Sequence, residues 1–245
     1  MEILSKNHLS HILHYKQKKF IERDNLIIVE GYRLLSQISL YDITFEELYV
    51  SSQNSYDITH FKAKQLFETP NHFLKKISST KHPANIAALI KYTPLKLPQN
   101  YKKLLYLDNI SDPGNFGTII RSALAFGFDG IITSPNSVSY LNDKVIRASL
   151  GAVFALPIYE ADYKFLSLQN ANIIVADNSI DAKDIRDFTI EQKKIIIVIG
   201  SEAFGVSDEI MQMADYKLKI PLTNMESLNA AISAAIFMYK FYENR

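Results

Sequence analysis

Three segments of this 245-residue chain gather the side chains that could do chemistry, and each directly follows an apolar run. The first is Asp108-Asn109-Ile110-Ser111-Asp112-Pro113-Gly114-Asn115-Phe116-Gly117. Pro113 and Gly114 force a turn, Gly117 allows close backbone approach, and Asn115 stands where a helix cap belongs. Arg121, one turn past the expected helix start, is suited to grip a phosphate or a carboxylate near the strand ends. In the second segment, Gly200-Ser201-Glu202-Ala203-Phe204-Gly205-Val206, a glycine lets a flat ligand approach the backbone and Glu202 adds a carboxylate at the same edge. The third, IPLTNMESLN from Ile220 to Asn229, leads into a last helix that Ser227 or Asn224 is placed to cap. Taken singly, each segment also reads as ordinary turn and cap chemistry, and Asp112-Pro113-Gly114-Asn115 alone favours that structural reading.

Such segments need strands that end beneath them and helices that begin beside them. From about Leu26 the chain alternates strand-like runs with stretches of helical period: LIIVEG, YRLLSQISL, ELYVSS, a helical stretch near His60 to Phe67, then NIAALIKY. YTPLKLPQN, with Pro94 and Pro98, breaks both periods and predicts a linker, giving domains at residues 1–97 and 98–245. A second series follows: LLYLDN, a helix from about Asn115 to Phe126, GIITSP, a helix from Asp143 to Phe154, NIIVADN, KIIIVIGS, a helix from Ser207, YKLKIPL, and a last helix from Ser227. Strands so continuously apolar predict an α/β fold whose parallel sheet is covered by helices. Ligands of such sheets sit beyond the carboxyl ends of the strands, where the three segments fall. In the last helix Leu228, Ala231, Ile232, Ala235, Ile236 and Tyr239 share one apolar face, which is expected to be core.

Composition narrows the chemistry. With no cysteine there is no disulfide framework, thiolate nucleophile or cysteine zinc site, and a reducing, cytoplasmic setting is expected. No run is long and apolar enough to span a bilayer, and the first residues lack the order of a signal peptide. Neither G-x-G-x-x-G nor G-x-x-x-x-G-K-[ST] occurs, which removes the usual support for nicotinamide or nucleoside-triphosphate binding. All six histidines, from His8 to His82, precede the linker, so no histidine base serves the second half. His8, His11 and His14 read as a helix face and not as a metal site. A net charge of +1 makes any nucleic-acid site local; the basic cluster Lys16, Lys18, Lys19 and Arg23 reads first as a solvated helix face.

Taken together, the three segments resemble in order and spacing the motifs of the SpoU, or TrmH-like, RNA ribose 2′-O-methyltransferases of the SPOUT superfamily. NISDPGNFGTIIRSALAFG resembles the first motif, IVIGSEAFGVSDEI the second, and IPLTNMESLNAAISAAIFMYKF the third; SPNSVSYLNDKVIRASLGAVFALP, Ser134 to Pro157, also follows the pattern. The likeness covers residues 103–243. The N-terminal part, with LIIVEGYRLLSQ and NIAALI, resembles the small ribosomal-protein-like RNA-binding domain of many members, departing from it at Pro83-Ala84-Asn85. The resemblance implies a C-terminal trefoil knot, a homodimer that completes the site, no metal, and S-adenosylmethionine as cofactor, held by Gly200, Ile220, Leu222, Ser227, Leu228 and Asn229. It places Asn115, Arg121, Glu202, Ser227 and Asn229 in the catalytic positions, and none of the five is substituted. Family proposals make Arg121 the base, helped by an RNA phosphate; the alternative has Arg121 clamp the phosphate while water or backbone takes the proton. Glu202 is placed to fix Arg121 or the dimer neighbour. Phe237, Met238, Tyr239, Phe241 and Tyr242 offer apolar surface to a partner. Large-subunit ribosomal RNA is the favoured substrate, with transfer RNA, or a non-catalytic RNA-binding role, as alternatives.

Overall fold

The computed structural model describes residues 2–191 and 194–242. The outer limits expected for the two domains, residues 1 and 245, lie outside them. The chain divides between Pro94 and Leu95, inside the proline-bearing segment and three residues before residue 97.

The first unit runs β1 (Glu2–Ile3), α1 (Lys6–Ile12), α2 (Lys18–Asp24), β2 (Leu26–Glu30), α3 (Tyr32–Ser39), β3 (Phe45–Val50), β4 (Ala63–Glu68), α4 (Asn71–Ile77) and β5 (Ile86–Lys91). Its sheet has the order β1-β4-β3-β5-β2, parallel except for the pairs that β5 makes. Leu9 and Ile12 of α1 and Phe73, Leu74 and Ile77 of α4 pack with Tyr49, Phe67 and Leu89 of the sheet. Every residue from Ile86 to Ile90 is buried, as expected of an inner strand covered on both faces.

The helix expected near His60 to Phe67 is instead strand β4. AKQLFE contains good helix formers, but β3 on one side and β1 on the other supply partners for its backbone, and that pairing overrides propensity. The basic cluster is engaged locally. Lys18 lies 3.4 Å from Glu22 and Arg23 2.7 Å from Asp24, while Lys16 donates to the carbonyls of Lys76 and Ser78. The Arg23 guanidinium holds the Asp24 carboxyl below its ordinary value.

The second unit continues with β6 (Lys103–Leu107), α5 (Pro113–Ala125), β7 (Gly130–Thr133), α6 (Asp143–Ala148), β8 (Ile158–Glu160), α7 (Lys164–Ser167), β9 (Asn172–Ala176), β10 (Lys183–Asp184), β11 (Ile195–Ile199), α8 (Asp208–Met211), β12 (Tyr216–Lys219) and α9 (Ala230–Lys240). Its sheet has the order β10-β12-β9-β11-β6-β7-β8 with every pairing parallel, the α/β architecture that the apolar runs predict. From β6 the chain builds outward to β8, crosses to β9, and returns to insert β11 between them. The strand order therefore reverses at the β6–β11 pair, and the carboxyl ends there open a crevice.

Helix boundaries differ from expectation in physically readable ways. The helix expected over Asp143 to Phe154 stops at Ala148, because Leu150 and Gly151 take positive φ angles of 50° and 78° before a single 3-10 turn. The last helix begins at Ala230, not Ser227, and Asn229 is its cap. Its core face is Ala230, Ala231, Ala234, Phe237 and Met238. Of the face expected to be core only Ala231 is buried; Leu228, Ala235 and Ile236 are half-buried, and Ile232 and Tyr239 are 52% and 70% exposed. Phe237 and Met238, expected to meet a partner, lie inside the unit at 1% and 0%.

Candidate active site at the switch point of the parallel sheet

Each loop at the crevice is tied down by its own polar groups. Asp112, not Asn115, caps α5: its carboxylate accepts the Asn115 N–H at 2.7 Å, and Asn115 is the third helical residue. Asp108, 3% exposed at the end of β6, accepts the Ser207 N–H at 2.8 Å and the Asn109 Nδ2–H at 2.9 Å. The Asp108 N–H in turn donates to the Ile199 carbonyl at 2.9 Å, so the end of β6 holds both ends of the loop that follows β11.

That loop closes on itself. Ser201 and Gly205 exchange backbone hydrogen bonds of 3.0 and 2.9 Å, leaving Glu202, Ala203 and Phe204 at the tip, with Phe204 92% exposed. A Cβ on Gly200 would come within 2.2 Å of the Gly205 carbonyl oxygen. The close approach that Gly200 permits is thus that of its own loop. Gly117 serves helix packing in the same way, since a Cβ there would meet Ala148 Cβ at 2.5 Å.

Asn229 joins the third loop to the other two. Its Oδ1 accepts the N–H groups of Ala231 and Ile232 at 2.9 and 3.3 Å, capping α9, which turns its Nδ2 outward. Nδ2 donates to Asn115 Oδ1 at 2.9 Å and to Glu202 Oε1 at 3.4 Å, and Asn115 Nδ2 also donates to Glu202 Oε1. One carboxylate thus holds two amides from helix starts that are 114 residues apart in sequence. Asn178 Nδ2 donates to the Glu226 carbonyl at 3.1 Å and fixes the third loop against the loop after β9.

Beneath this cluster lies a cavity of about 280 Å³, with Ile199, Gly200, Glu202, Val206, Ile220, Ser227, Leu228 and Phe237 in its wall. The structure therefore brings together Asn115, Gly200, Glu202, Ile220, Ser227, Leu228 and Asn229. Leu222 is half-buried and does not line the cavity. Arg121 is also apart: as the ninth residue of α5 it is more than two turns from the helix start, exposed, and makes no hydrogen bond or ion pair among the described residues. The displacement follows from α5 beginning at Pro113. Glu202 holds Asn115 and Asn229, and not Arg121.

Asp177, Asn178 and Ser233 line the cavity without having been singled out from the sequence, and Phe237, expected at a partner surface, lines it too. Asp177 and Asn178 follow the apolar run NIIVA, so the strand-end rule itself points to them; Ser233 carries no such signal. Among the described residues no group of three or more His, Asp or Glu is placed to hold a metal, and no helix is long and apolar enough to cross a membrane.

Comparison with known proteins meets this geometry from outside. Residues 102–239 match the model of the SpoU rRNA Methylase family, and residues 6–88 match an MRM3-like substrate binding domain. The chain is 25% identical over 230 residues to a 23S rRNA (guanosine(2553)-2′-O)-methyltransferase, RlmP, of Bacillus subtilis, covering 93% of this chain and 92% of that one. It is 32% identical over 155 residues to a putative TrmH family tRNA/rRNA methyltransferase of Staphylococcus epidermidis, covering 61% of this chain and 62% of that one. Among solved structures, a putative RNA methyltransferase of the TrmH family from Porphyromonas gingivalis superposes with a TM-score of 0.80 at 25% identity, covering 98% of each chain. AviRb of Streptomyces viridochromogenes, a SpoU methyltransferase in complex with AdoMet, shares the fold with a TM-score of 0.80 at 22% identity over 96% of this chain and 97% of that one. With more than half of its length matched to the family model and its three loops joined at one crevice, the chain belongs to the SpoU rRNA Methylase family and is an RNA methyltransferase.

Proposed function

We propose that the protein transfers a methyl group from S-adenosylmethionine to a ribose 2′-hydroxyl of large-subunit ribosomal RNA. The observation that carries this is the Asn115–Glu202–Asn229 cluster on the rim of the switch-point cavity. The relative in Bacillus subtilis, named for 23S rRNA, aligns over both units and supports the choice of substrate.

The cavity suits the cofactor. Ile199, Val206, Ile220, Leu228 and Phe237 offer an apolar wall to a flat adenine, and Asp177 and Glu202 supply negative charge beside a cation. Gly200, Ile220, Ser227 and Leu228 stand in that wall; Leu222 and Asn229 are proposed to support it from outside. When bound, S-adenosylmethionine supplies an electrophilic methyl carbon on a sulfonium. The chain's own residues align the acceptor, and most of the acceleration comes from holding the pair in line. Asn115 uses one Nδ2 hydrogen on Glu202 and keeps the other for a ribose oxygen. Arg121 clamps the RNA phosphate beside the reacting ribose through its fixed fork of N–H donors, and the 2′-hydroxyl proton leaves to water.

Arg121 reaches a site through a second copy of the chain. Thr118, Arg121 and Ala125 form the exposed stripe of α5; beside it α9 exposes Ile232 and Tyr239, and Tyr242 is exposed just past the helix end, with Phe126 6.0 and 5.7 Å from the two tyrosine rings. A homodimer through this face buries the apolar stripe and delivers each Arg121 to the partner's cavity. The path from β11 past β9 to β12 and back to α9 is proposed to carry the trefoil knot.

Labelled methyl transfer to undermodified total RNA, separated into ribosomal and transfer fractions and digested to nucleosides, tests the reading. A 2′-O-methylated nucleoside in large-subunit rRNA is the expected product. The same nucleoside in transfer RNA moves the substrate, and cofactor binding without product from any fraction replaces the enzyme with a binding factor.

A further inference from the structure

The first unit carries an aromatic stack that leads out of its core. Tyr32, at the start of α3, lies 4.3 Å from Tyr56 with 13° between the ring planes. His60 meets the edge of Tyr32 at 5.9 Å, and Phe61 stands 5.8 Å from Tyr32 and 5.7 Å from Phe45. The stack thus starts at the buried Phe45 and Phe61 and climbs to Tyr56, which is 52% exposed although one face of its ring is covered by Tyr32. The open face is the continuation of the stack.

The loop that presents Tyr56 is fastened on both sides. The Asn54 N–H donates to the Ser51 carbonyl, and Asn54 Nδ2 donates to the Tyr56 carbonyl, both at 2.9 Å. Asp57 accepts the Thr59 N–H at 2.9 Å and the Thr59 hydroxyl at 2.7 Å, which holds its carboxyl below the ordinary value and occupies it within the loop. Next to Tyr32, Arg33 is exposed and makes no ion pair among the described residues. The other exposed side chains of the loop, Ser52, Gln53, Ser55 and Thr59, are small or polar.

We propose that Tyr56, backed by Tyr32, whose ring edge meets His60 and whose chain neighbour is Arg33, is a stacking platform for an unpaired base of the RNA substrate, with Arg33 on the adjoining phosphate. This rests on the RNA methyltransferase reading and gives the first unit a recognition site. A single open aromatic ring among polar side chains, with an arginine on the helix that backs it, is the pattern that takes a splayed-out base, sequence-tolerantly, as a third plane on an existing stack. Protein docking needs a contiguous apolar centre, which this loop does not offer. Because the ring is held in place before binding, little ordering entropy opposes the contact.

The test uses the full chain and two probes, a labelled single-stranded oligouridine and a blunt RNA duplex of equal length, read by fluorescence anisotropy. Tyr56→Ala is expected to weaken single-strand binding about tenfold, with smaller effect on the duplex and none on S-adenosylmethionine affinity or thermal midpoint. Tyr56→Phe and Tyr56→Trp are expected to keep the affinity. The natural chain has no tryptophan, so Tyr56→Trp installs the only one, and a stacked base quenches its emission. Arg33→Gln is expected to reduce the salt slope of binding by about one ion. If the wild type binds RNA and Tyr56→Ala binds it equally, or if the new tryptophan is not quenched, the platform is overturned and the methyltransferase reading stands. If the wild type neither binds nor methylates any RNA, both fall.

Discussion

Asn229 performs two tasks with the two ends of one amide, and its substitutions separate them. Asn229→Ala removes the cap of α9, at a cost of about 1 kcal/mol, together with the donor to Asn115 and Glu202. Asn229→Asp keeps a good cap but sets a second carboxylate against Glu202 where a donor stood. Calorimetry and initial-rate kinetics should therefore show a thermal midpoint near that of the wild type for Asn229→Asp with turnover reduced at least about tenfold; a variant that loses both in step would leave Asn229 only a structural role. Asp108 invites a similar comparison, because it touches the cavity loop through Ser207 and does not line the cavity. Asp108→Ala is expected to raise the cofactor Kd about tenfold, and Asp108→Asn, which keeps an acceptor for the Ser207 N–H, to restore most of the affinity. At this scale the sequence showed which loops meet at the crevice, since turn-forming residues after apolar strands are a local signal. It did not show which residue caps each helix. Asp112 and Asn115, or Ser227 and Asn229, are equally able caps, and only the position where the helix starts decides between them.

The helix α9 is apolar nearly all round from Ala230 to Tyr239, and this is why spacing alone chose a face that shares only Ala231 with the core. Period picks a face only when polar residues mark the other one. With α9 packed on α5, Ala230, Ala231, Ala234, Phe237 and Met238 are buried and Ile232 and Tyr239 are left outward. A second apolar face on a helix already packed is the mark of a second contact. On the proposed homodimer, sedimentation is expected to show a dimer for the wild type and a monomer for an Ile232→Glu, Tyr239→Glu double variant. Subunit mixing addresses Arg121: protomers carrying Arg121→Ala and protomers carrying Asn115→Ala, each inactive alone, are expected to regain methyl transfer when exchanged into mixed dimers. No recovery from fully mixed dimers would put Arg121 at its own chain's site. The strand β4 was illegible for a related reason, because AKQLFE has no period of its own and becomes a strand only once β1 and β3 flank it.

At the scale of the whole molecule, one buried tyrosine in each sheet is expected to make the fold sensitive to alkali. Burial raises the Tyr49 hydroxyl well above the ordinary phenol value, and the Glu47 carboxylate that accepts its proton at 2.5 Å adds to the effect. Burial likewise raises Tyr106, with the Asp108 and Asp162 carboxylates nearby. A group whose pKa is raised by folding contributes stability that is whole below its unfolded value of about 10 and is lost as pH rises towards the folded value. Phenolate absorbance followed alongside circular dichroism is expected to show these two tyrosines ionising only as the units unfold above about pH 10. Early ionisation in a fully folded chain would contradict their burial. The division at Pro94 and Leu95 and the parallel second sheet were legible because prolines and uninterrupted apolar runs act over long stretches of sequence. The wall of the cavity has a further consequence, for synthesis. Ribosomes deliver β6 and β11 before they deliver Ile220, Ser227, Leu228 and Phe237, so a nascent chain that has emerged only as far as β12 holds the floor of the pocket without its far wall. Ligand affinity then arrives late and abruptly, and retention of S-adenosylmethionine by stalled chains of increasing length would time the moment at which α9 comes home.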